Sequence, residues 1–285
     1  MNFSLLLNEI TKADSEFCDR VSPRRDVIKN FTRKVTLTAL PFAIGSLFNK
    51  AYGKTTDVIV DTLNLILRIE HLESQFYTSG LNSPGLIVAA QDRADITLIR
   101  DNEMAHRDFV KQTIISLGGT PVPYPTLDYT GGAAPGGPGV GNGPFNDVLT
   151  NYATFLAVSQ TFENTGVRGL KGSANVFMSN NDLLTTALGF HSVEGRHAAH
   201  VQMMRRRNGH ANMKPWITNA DSMISGAKGA AAQPTYAGEE NTMQAGVNIV
   251  NIGGKGISQT AATEAFDEPI SADQLKAIAS NFIVF

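Results

Sequence analysis

Two short motifs of the same form constrain this chain more than any other feature. Glu103-Met-Ala-His106 and Glu194-Gly-Arg-His197 both read Glu-x-x-His. On a helix, residues three apart share a face. Each motif therefore sets a carboxylate beside an imidazole, which is half of a metal clamp. Each is also preceded by a glutamate among apolar residues: Glu70 lies 33 residues before Glu103, and Glu163 lies 31 before Glu194. One pattern is used twice, and a gap of 60 residues separates Glu103 from Glu163.

Apolar periodicity predicts four long helices to carry the pattern. In the first, from Thr56 to Gly80, Val58, Leu63, Ile66, Ile69, Leu72, Phe76 and Tyr77 recur at helical spacing. The second runs from about Gln91 to Leu117 and stops at Gly118-Gly119 before Pro121. The third is expected from about Phe145 through Glu163 to Gly169. The fourth spans about Asp182 to Arg207, where Arg205, Arg206 and Arg207 complement the helix dipole. Residues 118–144 are too rich in glycine and proline for a helix. So long a connection suggests a crossover or equally a disordered insertion, and its Gly131–Gly143 half reads as mobile. Residues 208–262 lose periodicity and are expected to pack across the helices as ordered loop, with Trp216 as an anchor. Ser271-Ala-Asp-Gln274 is a capping box that opens a short helix to about Asn281.

The first 53 residues read differently. Ser22-Pro-Arg24-Arg25-Asp26-Val27-Ile28-Lys29 resembles a twin-arginine export signal, followed by an apolar stretch from Val35 to Phe48. Ala51-Tyr-Gly53 offers small residues for cleavage, with Lys54 next. This implies a periplasmic or otherwise exported protein; the alternative is a cytoplasmic helical extension. No apolar run reaches membrane-spanning length. The expected organisation is thus an N-terminal extension over 1–53, a helical bundle over 54–207 and an irregular C-terminal extension over 208–285.

A formal charge of −2 leaves no electrostatic footprint for nucleic acid. The single cysteine, Cys18, excludes an internal disulfide and a cysteine-rich zinc site. Carboxylate and imidazole without thiolate suit iron(II) or manganese(II) better than copper(I) or structural zinc. The bland alternative makes these glutamates solvated, or paired with Arg68 and Arg100. Glu163 argues against it. It sits among Phe155, Leu156, Val158 and Phe162, where an unpaired carboxylate is costly without a cation.

The doubled motif, together with Ile69-Glu70-His71-Leu72-Glu73-Ser74-Gln75-Phe76-Tyr77, resembles the ferritin-like superfamily. The first-helix motif is most similar to that of bacterial ferritin-like domain proteins. The resemblance covers about residues 55–207 and the Phe266–Ile270 tail. It implies an all-α antiparallel four-helix bundle holding two iron ions, or manganese. In that scheme Glu103 and Glu194 serve both ions, His106 and His197 give one nitrogen each, and Glu70 and Glu163 cap the outer sides. Tyr77 resembles the tyrosine that stands behind the ligands in related ferritins. That spacing favours Glu70 as ligand over its same-face alternative, Glu73.

Relatives often carry Asp where this chain has Asn102 and Val193. Asn102 can still accept a hydrogen bond from the opposite histidine; Val193 cannot. Gly195 weakens its helix, and close packing offers a reason for it. The implied activity is oxidation of iron(II) or scavenging of O2 or peroxide, ferroxidase-like or peroxidase- and catalase-like. The alternative is a non-enzymatic structural or stress-protective bundle with a degenerate metal site. Metal ions and O2 or peroxide are the implied partners, and assembly into a homo-oligomer is left open.

Overall fold

The computed structural model describes residues 55–284; the arginine pair and the whole export-like stretch lie outside the described residues. The fold is all-α. Its four long helices are α1 (Thr55–Asn82), α2 (Ala90–Ser116), α3 (Tyr152–Ser173) and α4 (Asn181–Arg207). A short turn at 83–89 folds α2 back along α1, and a 3-10 turn at Ala174–Phe177 folds α4 back along α3. The two hairpins meet through α1 against α3 and α2 against α4. No helix among the described residues is long and apolar enough to cross a membrane.

Local chemistry sets the helix ends. α2 stops where Gly118 takes φ +80° and its N–H bonds back to the Ile115 carbonyl. The Asn180 side chain accepts from the N–H groups of Asp182 and Leu183 to open α4. α3 begins seven residues later than the apolar pattern suggests. Asn151 caps it, accepting from the N–H groups of Ala153 and Thr154. Phe145 and Val148 are buried as anchors of the preceding turns instead.

The glycine-rich connection is built rather than loose. The Asp128 carboxylate accepts from the N–H and hydroxyl of Thr130 and from the N–H of Gly132. The Thr130 hydroxyl accepts from Gly143, and the Thr130 carbonyl accepts from Phe145. Backbone crowds backbone here: a Cβ on Gly143 would lie 2.0 Å from the Thr130 oxygen. Strand β1 (Thr126–Leu127) pairs antiparallel with β4 (Ile283–Val284), tying the connection to the end of the described chain. The mobility expected from composition gives way to this bonding.

The C-terminal segment carries more structure than its composition suggests. It holds α5 (Gly226–Ala232), a small hairpin of β2 (Met243–Gln244) and β3 (Val247–Asn248), α6 (Gln259–Thr263) and α7 (Ala272–Ala279). α7 opens on the Ser271–Gln274 capping box, with both reciprocal bonds present. α7 packs across both α1 and α3. In consequence α3 is buried on every face from Thr154 to Leu170. Arg168 on its outer side donates to the carbonyls of Thr235, Ala237 and Glu268 and pairs with Glu239. Gln160 donates to the Ser222 carbonyl and to Tyr236. Trp216 does not serve as an anchor; it is 47% exposed, and its neighbour Ile217 is buried instead.

Candidate metal centre

All six residues of the doubled pattern converge where the two hairpins face each other. Glu70 comes from α1, Glu103 and His106 from α2, Glu163 from α3, and Glu194 and His197 from α4. All are buried, the two imidazoles at 6% exposed and the four glutamates at 2% or less. They form two overlapping groups. Glu70, Glu103, His106 and Glu194 make one; Glu103, Glu163, Glu194 and His197 make the other. Within each group one donor atom per residue lies within 4.8 Å of the rest. Glu103 and Glu194 belong to both.

The contacts divide along the same line. His106 Nδ1 is 3.1 Å from Glu103 Oε2, 3.0 Å from Glu194 Oε1 and 3.7 Å from Glu70 Oε2. His197 Nδ1 is 2.5 Å from Glu103 Oε1 and 3.5 Å from Glu163 Oε2. Neither Glu103 Oε1 nor His197 Nδ1 has a hydrogen-bond partner. Two lone-pair atoms that close repel unless something positive, a proton or a metal ion, stands with them. Orphaned oxygens remain on Glu70, Glu163 and Glu194 as well. Burying even a neutral polar group without a partner costs about 2–7 kcal/mol, and an ionised carboxylate costs more. Arg100 offers no relief, since its guanidinium pairs with Asp101. This donor set fits hard divalent ions.

Protonation shows the same demand. Burial raises the Glu70 carboxyl well above the usual carboxylate range, with His106 opposing and Glu103 adding. Burial raises Glu163 to about 8 despite the charge of His197. Burial alone would lower both imidazoles. Contacts with Glu103 and Glu194 instead lift His106 to about 11, and the charges of Glu163 and Glu103 lift His197 to about 11. Burial also pushes Glu103 up, but the two imidazoles beside it outweigh burial and hold it at about 2. Without a cation, the surrounding carboxylates favour protons on both histidines.

The surroundings are uneven. Tyr77 donates a short hydrogen bond to Glu163 Oε1. The ring nitrogen Nε2 of His197 lies 3.2 Å from Asn102 Oδ1, so Asn102 holds the opposite histidine. The His106 side has no such acceptor from Val193. Phe190 stacks on the His106 ring instead, with centroids 4.3 Å apart. Helical spacing holds the signal for that contact, four residues before Glu194. Gly195 does not mark a close approach: nothing would meet a Cβ there within 4 Å. Gly166 does, since a Cβ would lie 3.2 Å from Glu194 Oε2. Glu73 is buried but falls outside both groups. His191 bonds to the Val167 carbonyl and His200 pairs with Asp95.

The family model for the ferritin-like domain matches residues 59–207, from the first turns of α1 to the last residue of α4. The chain belongs to the ferritin-like domain family. No curated protein matches it. In this ferritin-like protein the matched span includes all six clustered residues, together with Tyr77 and Asn102.

Proposed function

We propose that this ferritin-like protein binds two divalent iron or manganese ions and uses them to oxidise iron(II) or to scavenge O2 or peroxide. One observation carries the reading: two buried four-residue groups share Glu103 and Glu194. Glu103 and Glu194 would serve both ions. Glu70 and His106 would complete one side, Glu163 and His197 the other. When bound, such a pair supplies electrons to an oxygen substrate. The chain's own residues do the rest. Four carboxylates offset the charge of two divalent ions, Asn102 orients His197, and Tyr77 steadies Glu163. Phe190 and the apolar walls keep bulk water from the His106 side. The export-like stretch adds a location outside the cytoplasm to this reading, which sequencing of the mature N-terminus would test.

Elemental analysis of protein purified from its own compartment tests the metal reading. About two iron or manganese ions per chain are expected, as two histidine-bearing groups require. Glu103→Ala or Glu194→Ala is expected to lose both ions, and Glu70→Ala one. Protein that takes up neither metal sinks the reading. A second reading rests on Val193, which cannot give His106 the acceptor that Asn102 gives His197. It makes the site a structural one, in a stress-protective bundle. Two bound ions with no oxidation of iron(II) and no peroxide consumption would select it.

A further inference from the structure

One helical turn beyond His106, all four long helices border an apolar pocket. Leu63 of α1, Val110 of α2, Leu170 of α3 and Leu183 and Ala187 of α4 wall it, with Phe177 of the 3-10 turn. None of its lining residues is charged. Its two polar side chains are Thr113 and Thr186, and Thr113 donates its hydroxyl to the Phe109 carbonyl. The centre of a water-sized molecule has about 20 Å³ of room inside; holding a single water takes about 10–15 Å³ on that measure. Phe109, Thr186 and Phe190 are the lining residues that stay half-exposed, so the mouth lies between α2 and α4. Phe190 is also the ring stacked on His106, and it meets Phe109 edge-on with centroids 5.4 Å apart. One side chain thus borders both the pocket and the metal centre.

We propose that this pocket holds dioxygen, and that the Phe190 ring, by swinging aside, passes it to the His106 side of the centre. The physical reason is solvation. Dioxygen is small and apolar, so it leaves water for an apolar site at no cost in hydrogen bonds. Apolar voids stay dry, so the gas has no bound water to displace. Hydrogen peroxide is the opposite case. It would give up hydrogen bonds to water at both ends and find two threonine hydroxyls, one of them already engaged. A divalent cation would find no ligand at all. A half-exposed ring such as Phe190 changes rotamer without unpacking the core. The pocket therefore selects dioxygen, not peroxide, as the oxidant that approaches from this side.

This inference rests on the dinuclear reading, and two measurements keep them apart. Dissolved O2 is paramagnetic and broadens the NMR signals of methyl groups it dwells beside. In metal-free full-length protein under oxygen pressure, the methyls of Leu63, Val110 and Leu183 are expected to broaden well beyond those of Ile87 and Ile217, which are buried to a similar degree. The second measurement mixes iron(II)-loaded protein rapidly with limiting O2 or with peroxide. Ala187→Leu fills the pocket; it is expected to remove the extra broadening and to slow the O2 reaction about fivefold or more, with iron load and peroxide rate unchanged. Ala187→Val, the milder change, is expected to fall between, and thermal melts establish that both variants are folded. Equal broadening at all five methyl-bearing residues overturns the pocket. An unchanged O2 rate in folded Ala187→Leu overturns the delivery, and so does equal slowing with O2 and peroxide. Protein that shows the broadening but loads no iron overturns the dinuclear reading and the delivery with it; iron-loaded protein without the broadening overturns the pocket alone.

Discussion

His197 is held from across the bundle: its Nε2 meets Asn102 Oδ1 while its Nδ1 points at Glu103. An oriented imidazole is a better ligand, because the ring need not be ordered on binding. Asn102→Ala is expected to weaken metal binding by about 10- to 100-fold, read by competition with a chelator, and Asn102→Asp to restore it. The titrating groups make a second prediction. His106 and His197 rise from 6.5 to about 11, so their contribution to stability is full below 6.5 and is lost as pH climbs through about 11. Glu163 rises from 4.5 to about 8, so its contribution is present below 4.5 and lost as pH climbs through about 8. Glu103 falls from 4.5 to about 2, and its contribution is lost only as pH drops toward that value. Metal-free protein should therefore melt at lower temperature as pH is raised from about 5 to about 9. Metal-loaded protein should lose this slope, because ions replace the protons. Thermal melts of both forms across that range check it.

Along α3, Gly166, Gly169 and Gly172 form a stripe at spacing three. The stripe faces Glu194, Leu275 and the Ile270 carbonyl in turn. At Gly172 a Cβ would lie 1.9 Å from the Ile270 backbone oxygen, which has no flexible end to move aside. Helix propensity alone would make Gly→Ala favourable by about 1 kcal/mol. The clash outweighs it. Gly172→Ala should destabilise by about 1–3 kcal/mol in urea denaturation and expose the C-terminal segment to protease. Gly195 on α4 is the contrast. With open space at its Cβ position, Gly195→Ala should stabilise by about 0.5–1 kcal/mol in the same assay. Both residues interrupt a helical pattern in the sequence, and their neighbours alone distinguish them.

Across the whole molecule, the C-terminal segment turns α3 from a half-exposed helix into a buried one. The Arg168–Glu239 pair, at 2.7 Å and fully buried, is its main polar tie. Arg168→Leu leaves the Glu239 carboxyl without its cation and should cost about 3–5 kcal/mol in urea denaturation. Glu239→Gln, which keeps a hydrogen-bonding group, should cost less.

The four helices and the six clustered residues were legible in the sequence for one reason. Helical periodicity is local, and the spacing of three in Glu-x-x-His fixes which side chains share a face before any tertiary contact forms. The capping box at Ser271 was legible on the same ground. Long-range partners decided what was not local. Asp128 turned a glycine-rich stretch into ordered turns, and Asn151 moved the start of α3 past Phe145. Tertiary packing alone placed Phe190 on His106, set Leu275 against Gly169, left Gly195 in open space and gave Glu73 its orphaned oxygen. By itself the sequence determined which carboxylates and imidazoles could face one another, because the pitch of a helix is a property of the backbone. Only the tertiary structure decided which of them share neighbours, because burial and pairing depend on what the rest of the chain lays against each face.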